Sequence, residues 1–447
     1  MTRLVRLDVR AASLACLAAA AVPAVAAAQT VTAPAMVMSS PTAASSATAA
    51  AAADVAAFYA RTPQVHIWVR NGAIDEVAAA RLSAILVRAT VEGLAEGPML
   101  AAAVDAAAAG ARSGDKAAQA RAEQVMSTSW LRYARLLNTI PAGFIWGDPY
   151  RRPQPETVDR TLGKAWRAPE LAPYLDAASN VNPVYGPLRD LLAATPSALD
   201  DHARASLERA RMFPSSGRFA VVDAASATLR MYDGGREVDR MNLVVGKPEL
   251  PTPMIVSTIS YAQLNPYWHV PDHLARKNVS RLVLAQGKPY LKAKGYEVVN
   301  DWNDPSPGID WKTIDWKGVN AGTVHVRIRQ LPGKENFMGK VKYPFPNGED
   351  IYLHDSPEKD LFLKAKRDLS NGCIRLEDAQ RFGRWLFDTQ PMPVISGTAP
   401  EQNFTLPRGV PVYVTYLTVH AEGGKLTRLA DIYGRDVGAG TAQGGGQ

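Results

Sequence analysis

A histidine and a cysteine are the residues of this chain whose types and spacing suggest chemistry. His354 lies in the stretch Tyr-Leu-His-Asp-Ser-Pro at 352–357, and Cys373, nineteen residues later, lies in Ser-Asn-Gly-Cys-Ile-Arg at 370–375. A thiol is a weak nucleophile until it loses its proton, and a nearby imidazole is the usual group that removes it. Asp355 can orient the imidazole through its carboxylate or through its main-chain carbonyl. The pattern predicts a Cys–His centre for nucleophilic catalysis.

Two neighbours of this pair fit the same chemistry. Gly372 lets the backbone turn sharply beside the sulfur, and such a turn can aim main-chain N–H groups at a developing oxyanion. Tyr352 lies two residues before His354, hence on the same face of a strand. Both residues are therefore candidates for the surroundings of a reacting carbonyl.

The cysteine content supports a nucleophile over a small buried hydrophobic residue. Residues 1–28 have the arginines, the apolar run and the final alanines of a secretory signal peptide, and no later stretch is long and apolar enough to span a membrane. The chain has two cysteines, and Cys16 leaves with the signal peptide. Cys373 then has no partner for an internal disulfide in an oxidising compartment. We expect an exported, periplasmic protein whose remaining thiol is used.

Composition predicts two structural regions after a tether. Residues 29–53, rich in Ala, Ser, Thr and Pro, are expected to be disordered, and residues 54–213 to form a helical scaffold domain. Residues 214–420 are expected to form a β-rich catalytic domain, followed by a tail at 421–447. The predicted fold class is α+β. The predicted helices span 76–91, 116–137, 199–212 and 377–388, and the predicted strands span 218–223, 227–233, 241–246, 254–264, 350–354 and 410–419.

An interruption at 275–345 separates the predicted strands. This span contains Trp302, Trp311 and Trp316, with several Pro, Gly and charged residues. Long excursions in a β domain are typical of lids and binding loops, while three tryptophans also suit a small core of their own. The two interpretations are compatible. If the span is a lid, its removal should harm substrate binding more than thiol reactivity.

The charge pattern argues against a nucleic-acid partner. The chain has 50 Lys and Arg against 43 Asp and Glu, a formal net charge of +7. This excess is spread out, with no Lys/Arg run of the kind that binds nucleic acid. A mildly positive surface suits an anionic partner, although solvated faces explain it equally well.

The quoted residues resemble the L,D-transpeptidase catalytic domain of the YkuD type, most closely its periplasmic YcbB-type branch. In that family a histidine at a strand end precedes a Ser-Xaa-Gly-Cys-Ile/Val-Arg motif at about this spacing. Many members have His where this chain has Asn371, and we do not find the glycine-marked helical repeat of the branch's peptidoglycan-binding module between 166 and 199. Further similar stretches lie at 244–248, 251–253, 265–271, 329–333 and 352–355, and the helical region resembles the branch's scaffold domain.

The resemblance implies a reaction and a set of roles. Cys373 would attack the amide carbonyl of a diamino acid in a peptidoglycan stem peptide and expel a terminal D-Ala. His354 would hold the sulfur as a thiolate and move protons, and the Asp355 main-chain carbonyl would fix the His354 tautomer. An amine of a second stem peptide would take the acyl group and form a cross-link, with roles in cell-wall organisation and cell shape. The family's chemistry needs no cofactor or metal. The remaining oxyanion or substrate-binding candidates are Tyr352, Asn371, Gly372 and Arg375, with Arg375 favoured for holding the motif loop over binding a substrate carboxylate.

Three alternatives stay open at this point. The same site could trim stem peptides as a carboxypeptidase or endopeptidase, or could join from the first residue of the stem. A metal could bind His354, Asp355 and Cys373 with His269 or His325, although the spacing is not that of a zinc site. The chain could also be a non-catalytic wall-binding scaffold in which Cys373 is idle.

Overall fold

The computed structural model describes residues 41–302 and 308–436, with side chains from residue 45. The predicted signal peptide, the tether residues 29–40 and the tail from 437 lie outside the described residues. No helix in the described ranges is long and apolar enough to cross a membrane.

The N-terminal region is helical because its apolar residues recur at helical spacing and its helices have polar caps. Asp115, for example, accepts a hydrogen bond from Ala118 N at 2.8 Å at the start of the longest helix. The first six helices of the region pack on a common core that contains Trp68, Leu82 and Trp130, and its last two belong to a second apolar cluster that they share with strands of the C-terminal region. The helices are α1 (Pro41–Arg61), α2 (Glu76–Arg88), α3 (Gly97–Ala111), α4 (Lys116–Leu137), α5 (Val158–Arg167), α6 (Leu171–Ser179), α7 (Tyr185–Ala194) and α8 (Asp201–Ala210).

The structure corrects the predicted tether at 29–53. Residues 41–53 belong to α1, where Ala51 and Val55 are fully buried and Phe58 nearly so. Alanine has the highest helix propensity, and a run of it needs only a few apolar anchors to pack as a helix. The composition typical of a tether was therefore misinterpreted over this stretch.

The C-terminal region is built on a mixed β-sheet. The strands of this sheet are β3 (Phe144–Trp146), β4 (Phe219–Asp223), β5 (Thr228–Asp233), β6 (Arg236–Gly246), β7 (Met254–Leu264), β11 (Val341–Pro344), β12 (Tyr352–His354), β13 (Asp368–Ser370), β14 (Ile374–Leu376) and β15 (Gln402–Thr415). Their order is β11-β12-β14-β6-β5-β4-β15-β7-β3, with β13 beside β6 and an additional β11–β7 pairing. One face of this sheet packs on an apolar core that contains Leu353, Ile374 and Tyr343 together with residues of α13 (Ala379–Phe387). The short hairpin strands outside it are β1 (Val69–Arg70), β2 (Ala73–Ile74), β16 (Val419–Glu422) and β17 (Lys425–Arg428). A helical region followed by a β-rich domain confirms the predicted α+β class.

Strand β3 comes from the helical region and was not predicted. It pairs in parallel with β7, with Phe144 opposite Met254 and Trp146 opposite Val256. At Gly147, just after β3, an added Cβ would lie 1.7 Å from the main-chain oxygen of Pro346, so only glycine fits this close approach. The helical region therefore contributes an edge strand to the sheet of the other domain.

The insertion is a small unit with its own sheet and core. Its elements are β8 (Trp268–His269), α9 (Asp272–Leu274), a π-helical turn (Ala275–Val279), α10 (Ser280–Gln286), α11 (Lys288–Lys294), β9 (Tyr296–Val299), α12 (Trp316–Ala321) and β10 (Arg327–Gln330). Its sheet has the order β8-β10-β9, and Trp316, Val298 and Ile328 are buried in its core. The predicted limits of 275–345 are shifted, because β8 already belongs to the insertion and β11 belongs to the main sheet. The insertion has the small core that was predicted for it, whereas its action as a lid remains a prediction.

The predicted tail at 421–447 is ordered as far as it is described. After the β16–β17 hairpin, Asp436 is fully buried and pairs with Arg209 of α8 at 2.6 Å and with His202 at 2.9 Å. A buried carboxylate needs such partners, and they tie this end of the chain to the helical region.

Candidate active site

The registers of three neighbouring strands place the candidate residues on one face of the sheet. Strand β12 lies between β11 and β14, with His354 opposite Lys342 on one side and opposite Arg375 on the other. Residues in register point to the same face, so Lys342, His354 and Arg375 form one row across the three strands. Leu353 pairs with Ile374, which puts Cys373 level with Tyr352 in the adjacent row.

Cys373 and His354 are thus diagonal neighbours on adjacent strands. Alternate residues of a strand share a face, so Cys373 points to the side of Arg375, away from the apolar core that buries Ile374. Diagonal neighbours are about 7–8 Å apart at their Cα atoms, within reach of long or aromatic side chains. The fold therefore brings together the two residues that the sequence singles out.

Hydrogen bonds from two hydroxyl groups hold the turn that precedes Cys373. The Ser370 hydroxyl donates to the Cys373 main-chain oxygen at 2.6 Å and accepts from Gly372 N at 3.1 Å. The Thr252 hydroxyl donates to the Gly372 oxygen at 2.7 Å and accepts from Gly246 N at 2.9 Å. Gly372 has a φ of 114°, a conformation that residues with a side chain rarely adopt. These contacts hold the backbone beside the sulfur in one conformation.

The His354 ring is buried and held in one tautomer. Its Nδ1 lies 2.6 Å from the main-chain oxygen of Asp355. A carbonyl oxygen can only accept, so Nδ1 carries the proton and Nε2 is left able to take one. The Asp355 carboxylate has other partners, because it accepts from Lys340 N at 2.9 Å and from Lys359 Nζ at 2.8 Å. Of the two orientations considered from the sequence, the structure has the main-chain one.

Burial favours the neutral form of both His354 and Cys373. Burial, with help from Arg375 and Lys342 in the same row, lowers the pKa of His354 to about 3. Burial also raises the pKa of the Cys373 thiol, against the opposing effects of the Tyr352 main-chain N–H, Arg375 and Lys342. Both shifts disfavour, in the resting protein, the thiolate that the resemblance implies His354 would hold. Two cations beside the imidazole disfavour a third positive charge there, which the spacing of His and Cys alone does not reveal.

The other predicted site residues have the following positions. The Arg375 guanidinium pairs with the carboxylate of Glu358, in the segment just after Asp355, as a loop-holding role requires. The Tyr352 hydroxyl donates to Asp350 Oδ1 at 3.3 Å, and burial raises the pKa of this phenol, so it stays a donor. Asn371 is exposed at the turn. Oxyanion roles for the Cys373 N–H and for Tyr352 remain predictions.

Three of the residues named for a metal site, His354, Asp355 and His325, have other partners. His354 Nδ1 and the Asp355 carboxylate are engaged as described above, and His325 is exposed and lies 3.1 Å from Asp272. Among the described residues, a group with metal-ligand atoms within 4.8 Å of one another lies elsewhere, at His202, Asp431 and Asp436.

Sequence reasoning missed Lys342, Ser370 and Thr252. A lysine between the buried Val341 and Tyr343 is a usable signal, because alternation along a strand puts it on the opposite face from the core. The roles of Ser370 and Thr252 depend on which main-chain atoms lie beside them, and the sequence pattern carries no such information.

The chain matches two protein-family models, one for each region. Residues 217–413 match the L,D-transpeptidase catalytic domain, YkuD, and residues 53–192 match the Scaffold domain. The fold and the site therefore define a scaffold followed by a YkuD-type catalytic domain. Residues 217–413 therefore belong to the family of L,D-transpeptidase catalytic domains.

Individual proteins match this chain at low sequence identity. A protein of Haemophilus influenzae described as a putative L,D-transpeptidase is 26% identical over 327 residues, which cover 69% of this chain and 64% of that protein, less than two thirds of its length. An L,D-transpeptidase from Mycobacterium smegmatis is 15% identical with a TM-score of 0.23 over 45% of this chain and 60% of its own. One from Xylanimonas cellulosilytica is 16% identical with a TM-score of 0.18 over 48% of this chain and 70% of its own. Likenesses to solved structures at this level carry no weight for the mechanism.

Proposed function

We propose that this protein is an exported enzyme that cross-links peptidoglycan stem peptides through a thioester on Cys373. The observation that carries the proposal is the position of Cys373 and His354 on one face of adjacent strands, with Nδ1 of His354 donating to the Asp355 main chain. That hydrogen bond leaves Nε2 as the proton acceptor on the face that carries the thiol. The match of residues 217–413 to the L,D-transpeptidase catalytic domain supports a peptidoglycan peptide as the substrate class.

The first half-reaction forms the acyl-enzyme. The Cys373 sulfur attacks the amide carbonyl of the diamino acid while His354 Nε2 takes the thiol proton. The transient imidazolium gives that proton to the departing amine of the terminal D-Ala, and a thioester remains on Cys373. Main-chain N–H groups at the Gly372–Cys373 turn are the proposed donors to the oxyanion.

The neutral resting state has a consequence for this step. Because burial favours neutral His354 and neutral Cys373, proton transfer accompanies the attack and does not precede it. Lys342 and Arg375 lower the free energy of the thiolate that forms, and they lower the pKa of the imidazolium, which makes it a stronger acid toward the leaving amine.

The second half-reaction releases the product. An amine of a second stem peptide attacks the thioester, gives its proton to His354, and leaves a new amide bond while the thiol recovers its proton. If water attacks instead, the product is a trimmed peptide. The proposed location is the periplasm, since a cell-wall substrate lies there and the chain has the predicted signal peptide at 1–28.

The test is the intact mass of the protein after incubation with a tetrapeptide donor. The expected result is an adduct equal to the donor minus D-Ala on the native protein and none on Cys373→Ala. An adduct on both proteins, or on neither, contradicts the proposal.

A second measurement separates joining from trimming. Purified muropeptides are incubated with the native protein and the product masses are read. A dimer supports cross-linking, and its fragmentation tells whether the donor residue is the third or the first of the stem. A mass loss without any dimer assigns the site to a carboxypeptidase or endopeptidase.

A further inference from the structure

A cation lies next to the Cys–His pair on the side away from Arg375. Lys342 occupies the middle of β11, and its side chain is 13% exposed. Its Nζ lies 5.3 Å from the centroid of the Tyr352 ring and 3.9 Å from Glu401 Oε1. At 3.9 Å this ion pair is loose, and an ammonium that is nearly buried needs closer partners. The position and charge of Lys342 therefore suit it to bind an anionic group of a ligand.

The next residue in the row has an unused acceptor. Gln263 of β7 is opposite Lys342 in the register and is 8% exposed. Its Nε2 donates to Asn403 Oδ1 at 2.9 Å, whereas its Oε1 is buried and accepts no hydrogen bond from the described residues. A buried amide oxygen left this way costs free energy unless a ligand or water donates to it.

Glu401 supplies the negative charge of this cluster. It is held in the left-handed region at φ 54°, and its N–H donates to the Asn265 oxygen at 2.9 Å. Its side chain is 33% exposed, so the carboxylate can meet both Lys342 and a ligand. The cluster of Gln263, Lys342 and Glu401, which we call the β11 subsite, therefore combines one cation with two acceptors.

We propose that the β11 subsite binds the free amino-acid end of the donor's diamino acid, with its carboxylate on Lys342 and its ammonium on Glu401 and Gln263 Oε1. This inference rests on the proposed function, because the donor is the peptide that acylates Cys373. A ligand that carries an ammonium and a carboxylate on one carbon complements a cation beside two acceptors better than a ligand with only one of these charges does.

The position relative to Cys373 supports the donor over the acceptor. Cys373 precedes β14, and Lys342 lies two strands away on β11 and one row further along, a separation of about 12 Å at roughly 4.8 Å per strand and 3.3 Å per residue. The attacking amine of an acceptor must reach within about 3.5 Å of the thioester carbon. A diamino acid whose main-chain carbonyl is at Cys373 and whose side chain runs along the sheet can span this distance together with the flexible stem of Lys342.

The test measures donor binding in the absence of reaction. Full-length Cys373→Ala protein is titrated by calorimetry with three tetrapeptides whose third side chain ends in an amino-acid group, in an ammonium alone or in a carboxylate alone. Adding Lys342→Met should weaken the two peptides that carry the carboxylate by about tenfold to a hundredfold and leave the ammonium peptide within about twofold. Adding Glu401→Gln should weaken the two peptides that carry the ammonium.

Control variants separate charge recognition from packing. Lys342→Arg should restore part of the carboxylate effect, and Lys425→Met, at an exposed lysine on β17, should change none of the three dissociation constants. Equal weakening of all three peptides by Lys342→Met, or no preference for the amino-acid peptide before mutation, overturns the subsite. Failure of the proposed function is a different result, since it is the absence of a mass adduct on native Cys373.

Discussion

His354 Nδ1 lies 2.6 Å from the main-chain oxygen of Asp355, the residue that follows it, while the Asp355 carboxylate binds Lys340 N and Lys359 Nζ. The group that orients the imidazole is thus part of the backbone. The third member of a Cys–His–Asp arrangement is usually sought in a carboxylate, and here a substitution of that carboxylate leaves the orienting atom in place.

The first prediction concerns Asp355. We expect Asp355→Asn to lower the rate of thioester formation by less than about tenfold, because the Asn amide oxygen can still accept from Lys340 N and the backbone carbonyl is unchanged. His354→Ala should lower the same rate by about 10²–10⁴, the usual contribution of a general base. Single-turnover acylation followed by mass spectrometry measures both. A fall of several orders of magnitude in Asp355→Asn would assign the orienting role to the carboxylate.

The second prediction concerns the nucleophile. Cys373→Ala should abolish acyl transfer, and Cys373→Ser should reduce it to near the background, since a hydroxyl is far harder to ionise than a thiol. Cross-link formation with purified muropeptides is the measurement. Thermal unfolding of both variants should match the native protein, which separates lost chemistry from lost structure. Residual transfer by Cys373→Ala above one per cent would point to another nucleophile.

The third prediction concerns the charge state of the thiol. Burial raises the pKa of Cys373 and keeps His354 neutral, so alkylation by iodoacetamide should reach half its maximal rate above the free-cysteine pKa of about 8.5. Lys342→Met should move this midpoint higher, because the ammonium is one of the groups that favour the thiolate. A midpoint well below 8.5 that rises in His354→Ala would contradict this prediction and would show a thiolate–imidazolium pair in the resting protein.

The fourth prediction concerns stability in acid. The pKa of His354 falls from its ordinary 6.5 to about 3, so between these values the unfolded chain binds a proton that the native protein does not. The free energy of unfolding should therefore rise with pH across this window and be flat above it as far as His354 is concerned. His354→Gln should reduce the difference between pH 7 and pH 4 by up to about 3 kcal/mol in urea titrations. An unchanged difference would mean that His354 titrates near its ordinary value.

The fifth prediction concerns the turn before the sulfur. At Gly372 an added Cβ would lie 3.2 Å from Ile351 Cδ1 and the φ of 114° disfavours any side chain, so Gly372→Ala should destabilise the protein by about 1–3 kcal/mol and slow acylation. Gly348→Ala is the matched control, because Gly348 is exposed and its Cβ would meet nothing within 4 Å. Urea unfolding and acylation rates measure the two effects. Equal behaviour of the two variants would show that the turn is not constrained.

Much of the local structure could be predicted from the sequence. The helix at 116–137 and the strand at 254–264 have the predicted limits, because long periodic segments with clear caps or turn residues encode their own conformation. The His354–Cys373 spacing likewise indicated a candidate site, since a short strand, a loop and a second strand are close in the chain. The Ala-rich stretch at 41–53 was misassigned because its helix depends on burial of Ala51 and Val55, which composition does not report.

The rest was decided by tertiary structure. The amino-acid sequence by itself determined that a lone thiol would follow a His-bearing strand and a glycine turn. Only the sheet decided that Lys342 and Arg375 lie on either side of His354, that the insertion begins at β8, and that β3 crosses from the helical region to β7. These facts depend on which strands pair and in which register, and register is selected by burial of a whole face. The protonation states follow from the same burial, because the free energy of a charge depends on the solvent and the charges around it once the chain has folded.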